Sequence, residues 1–415
     1  MSRPSLWTDL DCVDTDKTLT YLERSKSSPI NLSLCRDDDL PPPHDSFLQI
    51  VPHVVGRLKS LTVWGTQENL QDITARLSHP TPLLEKISIS ASGYLSEDHP
   101  VLAPAFFGKD LTSLRELSLW HIWAEVPWRR MVNLVLLKLT YTLPISTRRL
   151  LDFFESTPHL RIVNLSISTP VEDAQNGRLV SPACLERMVV YFDPLSALLD
   201  HLLIPVGVVL IVHMDLESLP DEDPPTFLGN LRNLRCFNKI LLYPDEEDPS
   251  IHLEGPNGDF CMIPTSSLDH WTCPMLKCLV HFDVSKAERL EISYGHTPSS
   301  GSFRAVLRSL KHLRFIKLYH CESPHTFIHA LHPSTSSSGV KVCPKLEGME
   351  FVQFVQYDNR LVKNIVGMAA ARASRGVKLK SVTLTHYCGD QHPQLDLVEL
   401  EKHVLHVECN PQGQW

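Results

Sequence analysis

One spacing of hydrophobic residues recurs along the chain. An apolar residue is followed by two residues of any kind, a second apolar residue, one residue of any kind and a third apolar residue, as in Leu58-Lys-Ser-Leu61-Thr-Val63. Alternate residues of a strand point to opposite faces, so the second and third apolar positions predict a short strand with one buried face. Copies of this repeat frame begin at residues 58, 84, 114, 134, 160, 185, 313, 346 and 379.

Segments with the helical period of 3.6 residues separate many of these predicted strands. They cover residues 47–58, 70–77, 150–154, 327–331 and 365–373. One helix and one strand per repeat predict an α/β fold, in which stacked repeats share a core and pair their strands in parallel. We therefore expect an irregular leucine-rich-repeat solenoid over residues 13–410, with a curved parallel sheet on the concave side and helices on the convex side.

The middle of the chain departs from the frame. The segments IPVGVVLIVHMDL, LRNLRCFNKILLY and AERLEISY each predict a strand, and acidic, Pro-rich insertions lie near residues 215–265. Within them, Asn257-Gly258 suits the type I′ turn of a small hairpin. Two interpretations of these insertions stay open, a solvated surface loop and a contribution to ligand binding.

Composition narrows the class of protein. Apolar residues make up 43% and charged residues 21% of the chain, which is typical of a folded protein. The net charge of -9 argues against a nucleic-acid partner, which would require a basic surface. The apolar run at residues 202–212 is too short to span a membrane. Without a signal peptide, the expected location is intracellular, in the cytoplasm, the nucleus or both.

Candidate chemistry is sparse. Nucleotide-binding, nucleophile-elbow and zinc-protease motifs are absent from the sequence, so we expect no enzyme, no cofactor and no metal. His325 and His329 have the i,i+4 spacing of zinc ligands, with His320, Cys321 and His332 nearby, but a surface helix capped by Ser323 with Pro324 at its first position explains them without a metal. Arg129-Arg130 and Arg148-Arg149 are either solvated charges or a site for phosphate or an acidic peptide.

Aromatic residues are frequent immediately after the frame, at what we number its seventh position. Four of the nine copies have Trp or Tyr there, although aromatics make up 7% of the chain. Such residues bury a large area with little rotamer entropy and often anchor partners, but they also suit strand ends as packing residues. The candidates for a partner-binding concave face are Trp64, Trp120, Tyr191 and Tyr319.

The order of several segments resembles a known family. SRPSLWTDLDC leads into TLTYLERSKSSPINLSL, and HPTPLLEKISIS, LLDFFESTPHLRIVNLSI and VCPKLE follow. This arrangement resembles the fungal F-box-like proteins with degenerate leucine-rich repeats. The resemblance implies that an F-box would bind the Skp1 adaptor of a cullin ubiquitin ligase, while the repeats would hold a substrate.

Only the end of the F-box pattern is matched at the start of the chain. Residues 1–12 are expected to be its C-terminal edge, with Leu6, Trp7 and Leu10 docking that module onto the repeats. The adaptor-binding helices are not part of the match, so a Skp1-like adaptor is expected only with an upstream F-box.

The sequence therefore predicts a non-catalytic protein-recognition solenoid, the substrate-receptor part of a ubiquitin-ligase-type protein. Its partner is a protein ligand or substrate of unknown identity. The alternative is a leucine-rich-repeat regulator or scaffold, for example of a small GTPase, unrelated to ubiquitin transfer.

Overall fold

The chain folds into two compact units, residues 1–205 (unit 1) and residues 206–415 (unit 2). The computed structural model describes residues 3–11, 15–35, 50, 53–76, 81–92, 111–122, 128–142, 145–167, 177–192, 196–214, 234, 236–243, 250–264, 279, 282, 284–293, 300–319, 324–332, 342–352, 359–387 and 397–412. Most of the acidic insertion sequence, residues 215–233 and 244–249, lies outside these ranges. Within the described residues, no helix has the length and apolarity needed to cross a membrane.

Unit 1 is built on parallel strands that pair in the order in which they occur along the chain. The strands are β1 (Asp9–Asp11), β2 (Ile30–Cys35), β3 (Leu58–Gly65), β4 (Lys86–Ala91), β5 (Glu116–Trp120), β6 (Leu136–Thr142), β7 (Ile162–Ile167) and β8 (Arg187–Phe192). From β3 onward, each strand coincides with one copy of the repeat frame. The periodicity therefore identified these strands correctly.

The apolar frame positions form continuous buried rows across this sheet. The residues at the second apolar position of the frame lie side by side on successive strands: Leu61, Ile87, Leu117, Leu137, Val163 and Met188. All of them are at most 1% exposed. The third apolar positions form an equally buried second row. Burial of such a side chain contributes about 1.5–3 kcal/mol, so these rows hold neighbouring strands together.

Short helices connect the strands of unit 1. They are α1 (Thr15–Ser25), α2 (Gln67–Arg76), α3 (Thr147–Ser156) and α4 (Ser196–Leu199), with 3-10 turns at Pro4–Trp7, Val55–Arg57 and Trp128–Arg130. In α3, the Ser146 side chain caps the first turn by accepting from the backbone N–H of Arg149. Leu150 and Phe153 are among its buried residues, which face the sheet core as the 3.6-residue period predicts.

Unit 2 also has a mostly parallel sheet, but a hairpin interrupts it. Its strands are β9 (Val208–Met214), β10 (Lys239–Tyr243), β11 (Ser250–Gly255), β12 (Gly258–Pro264), β13 (Arg289–Ser293), β14 (Phe315–Tyr319), β15 (Gly348–Val352), β16 (Leu379–Tyr387) and β17 (Val404–Gln412). β10 pairs in parallel with β13, and parallel pairing continues strand by strand to β17. The antiparallel hairpin β11–β12 lies between β10 and β9.

The three strands predicted in the irregular middle of the chain are therefore present as β9, β10 and β13. The hairpin is present too, but its turn differs from the prediction. Gly255 pairs with Gly258, so the two loop residues are Pro256 and Asn257 rather than Asn257 and Gly258. Proline fixes a negative φ, which excludes the type I′ turn.

Position 258 requires glycine for a different reason. Its φ is +128°, and a Cβ there would lie 2.5 Å from the backbone oxygen of Val208 on β9. The glycine thus lets β12 approach β9 closely at the start of their parallel pairing.

The helices of unit 2 are α5 (Ser300–Ser309), α6 (Pro324–Leu331), α7 (Asn359–Ala373) and α8 (Val398–Glu401). Arg372 on α7 is 2% exposed and donates from Nη1 to the carbonyl of Val342 at 3.1 Å and from Nη2 to that of Cys343 at 2.8 Å. Burial lowers the pKa of this arginine. The two carbonyls therefore fasten the segment before β15 to α7.

Both units confirm the α/β class with a mostly parallel sheet. The predicted helical segments at 70–77, 150–154, 327–331 and 365–373 fall on α2, α3, α6 and α7, although α2 ends at Arg76. The segment at 47–58 is described only at residues 50 and 53–58, and Leu58 already begins β3.

Candidate functional site

The sheet of unit 1 has a second face formed by the residues between the buried rows. We call it the open face; it consists of the third, fifth and seventh positions of each frame copy. Ser60, Thr62 and Trp64 supply it from β3, where buried and partly exposed residues alternate. Most of these positions are polar or aromatic and at least partly exposed, although Ser166 and Val189 are buried.

Three predicted aromatics lie in one row of this face. The register joins Trp64, Ser90, Trp120, Thr140, Ser166 and Tyr191 on successive strands. We call this the aromatic row. Neighbouring strands are about 4.8 Å apart, so the Trp64 and Trp120 backbones are about 10 Å apart with a serine between them.

The aromatic side chains differ in accessibility. Trp120 is 53% exposed and Tyr191 is 36% exposed, whereas Trp64 is half-buried. The ring of His121 stacks on that of Trp120, with centroids 6.0 Å apart and planes 19° apart. His121 has a φ of +56°, and its backbone N–H donates to the carbonyl of Thr140. That bond ends the strand pairing next to the exposed indole.

The central row of the open face has unsatisfied polar groups. Lys138 and Asn164 occupy the fifth frame position on adjacent strands, next to Val189. Lys138 forms no ion pair within the described part of the chain. The Oδ1 atom of Asn164 is buried and accepts no hydrogen bond from described residues. Lys138 is exposed, so a partner could supply an acceptor for it.

A polar groove of about 960 Å³ lies at the strand starts of unit 1. The residues that line it include those at the second position of consecutive frame copies. This position forms a row that we call the charge ladder, and its rungs in unit 1 are Lys59, Glu85, Arg115, Val135, Arg161 and Glu186. Backbone hydrogen bonds of 2.8–2.9 Å join each rung to the next.

Ion pairs occur only between some of these rungs. Lys59 lies 3.6 Å from Glu85, and Arg161 donates from Nε to Oε1 of Glu186 at 2.7 Å. The bond to Glu186 raises the pKa of Arg161. Arg115 has no side-chain hydrogen bond or ion pair within the described ranges. The uncharged Val135 separates it from Arg161.

The charge ladder of unit 2 is continuous from β13 to β16, and the uncharged Asn238 precedes it. Its rungs Glu288, Arg314, Glu347 and Lys380 alternate in sign, and their pairs lie 4.0, 3.0 and 3.1 Å apart. Hydrogen bonds from Arg314 and Lys380 lower the pKa of the Glu347 carboxyl. Each charge in this ladder therefore already has a partner within the unit.

The fourth predicted aromatic, Tyr319, lies in unit 2 at the end of β14, where it pairs with Ser293 and Val352. Lys317 Nζ lies 4.7 Å from its ring centroid and 2.9 Å from Glu350. Burial disfavours the charge of Lys317, but hydrogen bonds to Tyr319 and Glu350 outweigh that effect and raise its pKa. Tyr319 is thus half-buried within a local polar cluster rather than part of the aromatic row.

The predicted module-docking residues occupy three different environments. Leu6 is 71% exposed. The ring of Trp7 packs edge-on against Tyr21 at 4.9 Å and lies 4.7 Å from the guanidinium of Arg24 on α1. Leu10 is 1% exposed and pairs with Leu32, so it begins a buried row of the sheet. Leu6 is therefore the accessible member of the three.

The histidine candidates do not form a metal site in the described residues. His325 accepts a hydrogen bond from Asn364 Nδ2 at its Nδ1 atom, and His329 is exposed one turn later on α6. Within the parts of the chain that the structure describes, no cluster of three potential metal ligands occurs. His320 and Cys321, which precede this helix, lie outside those parts.

Two features were missed in the sequence although a signal for each was present. Phe237-Asn-Lys-Ile240-Leu-Leu242 is a further frame copy, with the 37%-exposed Tyr243 at its seventh position. The charge ladder could also have been read from the second frame position. The basic pairs Arg129-Arg130 and Arg148-Arg149 lie on a 3-10 turn and on the first turn of α3.

The chain matches no family model and no curated protein. The resemblance to F-box-like proteins therefore stays a prediction. The geometry of the aromatic row and of the groove at the strand starts is the basis for a functional assignment.

Proposed function

We propose that the chain is a non-catalytic protein-recognition module that holds its partner on the open face of unit 1. The aromatic row is the observation that carries this proposal. Trp120 and Tyr191 expose large, rigid side chains on a regular sheet, where no burial within the unit requires them. Such residues are enriched among the side chains that dominate binding energy.

The repeat frame supports an irregular leucine-rich-repeat solenoid as the architecture. Successive frame copies form adjacent parallel strands, and helices such as α3, α6 and α7 lie between them in the chain. In this architecture the open face would be concave and the helices would cover the convex side. A partner would then contact several strands at once, which suits an extended protein surface.

We further propose that this recognition serves a ubiquitin-ligase-type substrate receptor. The support is the sequence resemblance at residues 5–10 and in the repeats that follow. A Skp1-like adaptor would bind the F-box helices, and we assign no such contact to residues 3–11, which form a 3-10 turn and β1. Binding of a purified Skp1-like adaptor to the full chain, measured by calorimetry, tests this part separately.

The partner can be identified by site-specific photo-crosslinking. A photoreactive residue at Ser90, inside the aromatic row, is expected to capture a specific protein from a cell extract. The same residue at Ser381 on β16 of unit 2 provides the matched control. The alternative role as a GTPase regulator predicts a small GTPase as the captured protein, whereas a substrate receptor requires no such protein.

The captured protein then provides the decisive affinity measurement. Replacing Trp64 and Trp120 together with alanine is expected to weaken its binding at least about tenfold, the effect expected for anchor side chains. The Phe315→Ala variant, which removes a 43%-exposed aromatic from unit 2, is expected to leave affinity unchanged. Equal affinity of the Trp64/Trp120 variant and the wild type would contradict the proposal, provided that circular dichroism shows both to be folded.

A further inference from the structure

The charge ladder of unit 1 lacks one negative rung. From β3 to β8 its signs are plus, minus, plus, neutral, plus and minus, and the neutral rung is Val135. In unit 2 the described rungs from β13 to β16 alternate without a break. The difference leaves Arg115 and Arg161 on either side of a position that carries no charge.

The backbone fixes the geometry of this gap. The N–H of Val135 donates to the carbonyl of Arg115 at 2.8 Å, and the N–H of Arg161 donates to that of Val135 at 2.9 Å. Arg115 and Arg161 are therefore two strands apart, or about 10 Å between backbones. A carboxylate above Val135 would be within reach of both guanidinium groups, whose side chains are long and planar.

Both arginines have binding capacity left. Arg115 has no side-chain partner among the described residues. Arg161 uses Nε and Nη2 to bond a single oxygen of Glu186, and no bond of its Nη1 group to a described residue is found. Glu85, on the other side of Arg115, already pairs with Lys59. The gap thus has two cationic donors and no carboxylate of its own.

The groove gives a ligand room to enter. All five rungs from Glu85 to Glu186 line its volume of about 960 Å³, together with the polar Ser113 and Asn133. The ladder occupies the second frame position and the aromatic row the seventh. Five residues of extended chain separate them on each strand, a distance of about 16 Å. An extended segment running along the strands could contact both.

We propose that the gap at Val135 binds an aspartate or glutamate side chain of an extended protein segment, which bridges Arg115 and Arg161. This inference rests on the proposed recognition function and specifies the chemistry of the partner. The incoming carboxylate supplies the missing negative rung and restores the alternation that unit 2 achieves with its own residues.

The proposal can be tested without knowing the natural partner. The probe is a fluorescein-labelled Gly-Ser peptide containing glutamates, and its glutamine counterpart is the control ligand. Fluorescence anisotropy at low ionic strength is expected to show binding of the glutamate peptide alone, because exposed ion pairs are screened by salt. Equal binding of the glutamine peptide, or no binding of either, would overturn the proposal.

Variants at the gap provide the sharper comparison. Val135→Glu supplies the carboxylate internally, so it is expected to abolish binding of the glutamate peptide. The similarly sized, uncharged Val135→Gln variant is expected to retain binding. Arg115→Ala is expected to weaken it about fivefold, as for loss of an exposed ion pair. Wild-type affinity in Val135→Glu would contradict the proposed site.

Two further variants distinguish binding at the gap from binding elsewhere on unit 1. Lys26→Ala removes an exposed cation of unit 1 that belongs neither to the open face nor to the groove, and it is expected to leave binding unchanged. An effect equal to that of Arg115→Ala would show non-specific attraction and overturn the site. The Trp64/Trp120 double variant is expected to bind the glutamate peptide normally. Failure of the aromatic row as a partner anchor would therefore be distinguishable from failure of the gap.

Discussion

The two units carry the same charge ladder but satisfy it in different ways. In unit 2, Glu347 receives hydrogen bonds from both neighbouring rungs, Arg314 and Lys380. In unit 1, the equivalent place between Arg115 and Arg161 is taken by Val135. A carboxylate at this position makes the ladder of unit 2 self-sufficient from β13 to β16, whereas its absence leaves Arg115 of unit 1 without a partner among the described residues.

The open faces show a parallel difference. On unit 2, Lys239 pairs with Glu254 and Glu291 at 3.3 and 3.6 Å, and Lys317 pairs with Glu350. On unit 1, Lys86 pairs with Glu116 at 3.0 Å, but Lys138 has no ion pair with any described residue. The charges of unit 2 thus mainly contribute to its own structure, whereas several charges of unit 1 are available for recognition. The predictions below test this division, beginning with the largest expected effect.

Removal of the buried cation of unit 2 should cause the greatest loss of stability. Arg372→Ala removes the side-chain donor to the carbonyl of Val342 and leaves that of Cys343 with the backbone N–H of Leu346 alone, in a buried site. We expect the free energy of unfolding to fall by about 3 kcal/mol. Urea denaturation measures this, with Arg360→Ala, at an exposed site on the same helix, as the control. Equal stability of the two variants would contradict the assigned role of Arg372.

The inserted hairpin of unit 2 should depend on its glycine. In Gly258→Ala, the added Cβ meets the backbone of Val208 and the residue retains an unfavourable positive φ. We expect a loss of about 2 kcal/mol in the free energy of unfolding. Gly367→Ala in α7 meets nothing within 4 Å and should gain about 0.5 kcal/mol, since alanine favours helix. A harmless Gly258→Ala would show that β12 and β9 are not so closely packed.

The stability that the charge ladder of unit 2 contributes should depend on pH. Because the folded pKa of Glu347 is lowered, its carboxylate adds stability above the ordinary glutamate pKa, and this contribution is lost as pH falls through the folded value. Glu347→Gln is therefore expected to be less stable than wild type at neutral pH and equally stable in acid. Thermal melts across that pH range test this, and a difference independent of pH would contradict it.

The smallest effect is expected at the incomplete ladder of unit 1. Arg115→Ala removes a cation without a described partner, so the free energy of unfolding should stay within about 0.5 kcal/mol of wild type. Arg314→Ala at the equivalent rung of unit 2 should be clearly less stable than wild type, because it leaves Glu347 with one partner fewer. An equal loss of unfolding free energy in the two variants would contradict the proposed difference between the two ladders.

Much of the fold follows from the repeat frame, because burial of two apolar positions per strand fixes which face turns inward. The strands β3 to β8 were found this way. The helix α5 was not predicted, although Phe303, Val306 and Leu307 have the helical spacing, because Ser300-Gly301-Ser302 at its start is typical of a loop. The turn of the hairpin was misplaced by one residue because Asn-Gly was preferred to Pro-Asn.

The candidate site was only partly predictable. The seventh frame position correctly placed Trp64, Trp120 and Tyr191 in one row, because parallel strands in register align equal frame positions. The sequence could not show that Tyr319 belongs to a different unit and packs with Lys317. The charge composition did not reveal the gap at Val135 either. Only the pairing of the strands shows that an uncharged residue lies between Arg115 and Arg161.

Hydrogen–deuterium exchange of the full chain, with and without the glutamate peptide, shows directly which unit binds it. We expect the peptide to slow exchange at residues 111–122, 131–140 and 158–166 of unit 1, which surround the gap, and to leave exchange unchanged at residues 284–293, 313–319 and 346–352 of unit 2. Equal protection of the two sets, or protection confined to unit 2, would contradict the assignment of recognition to unit 1.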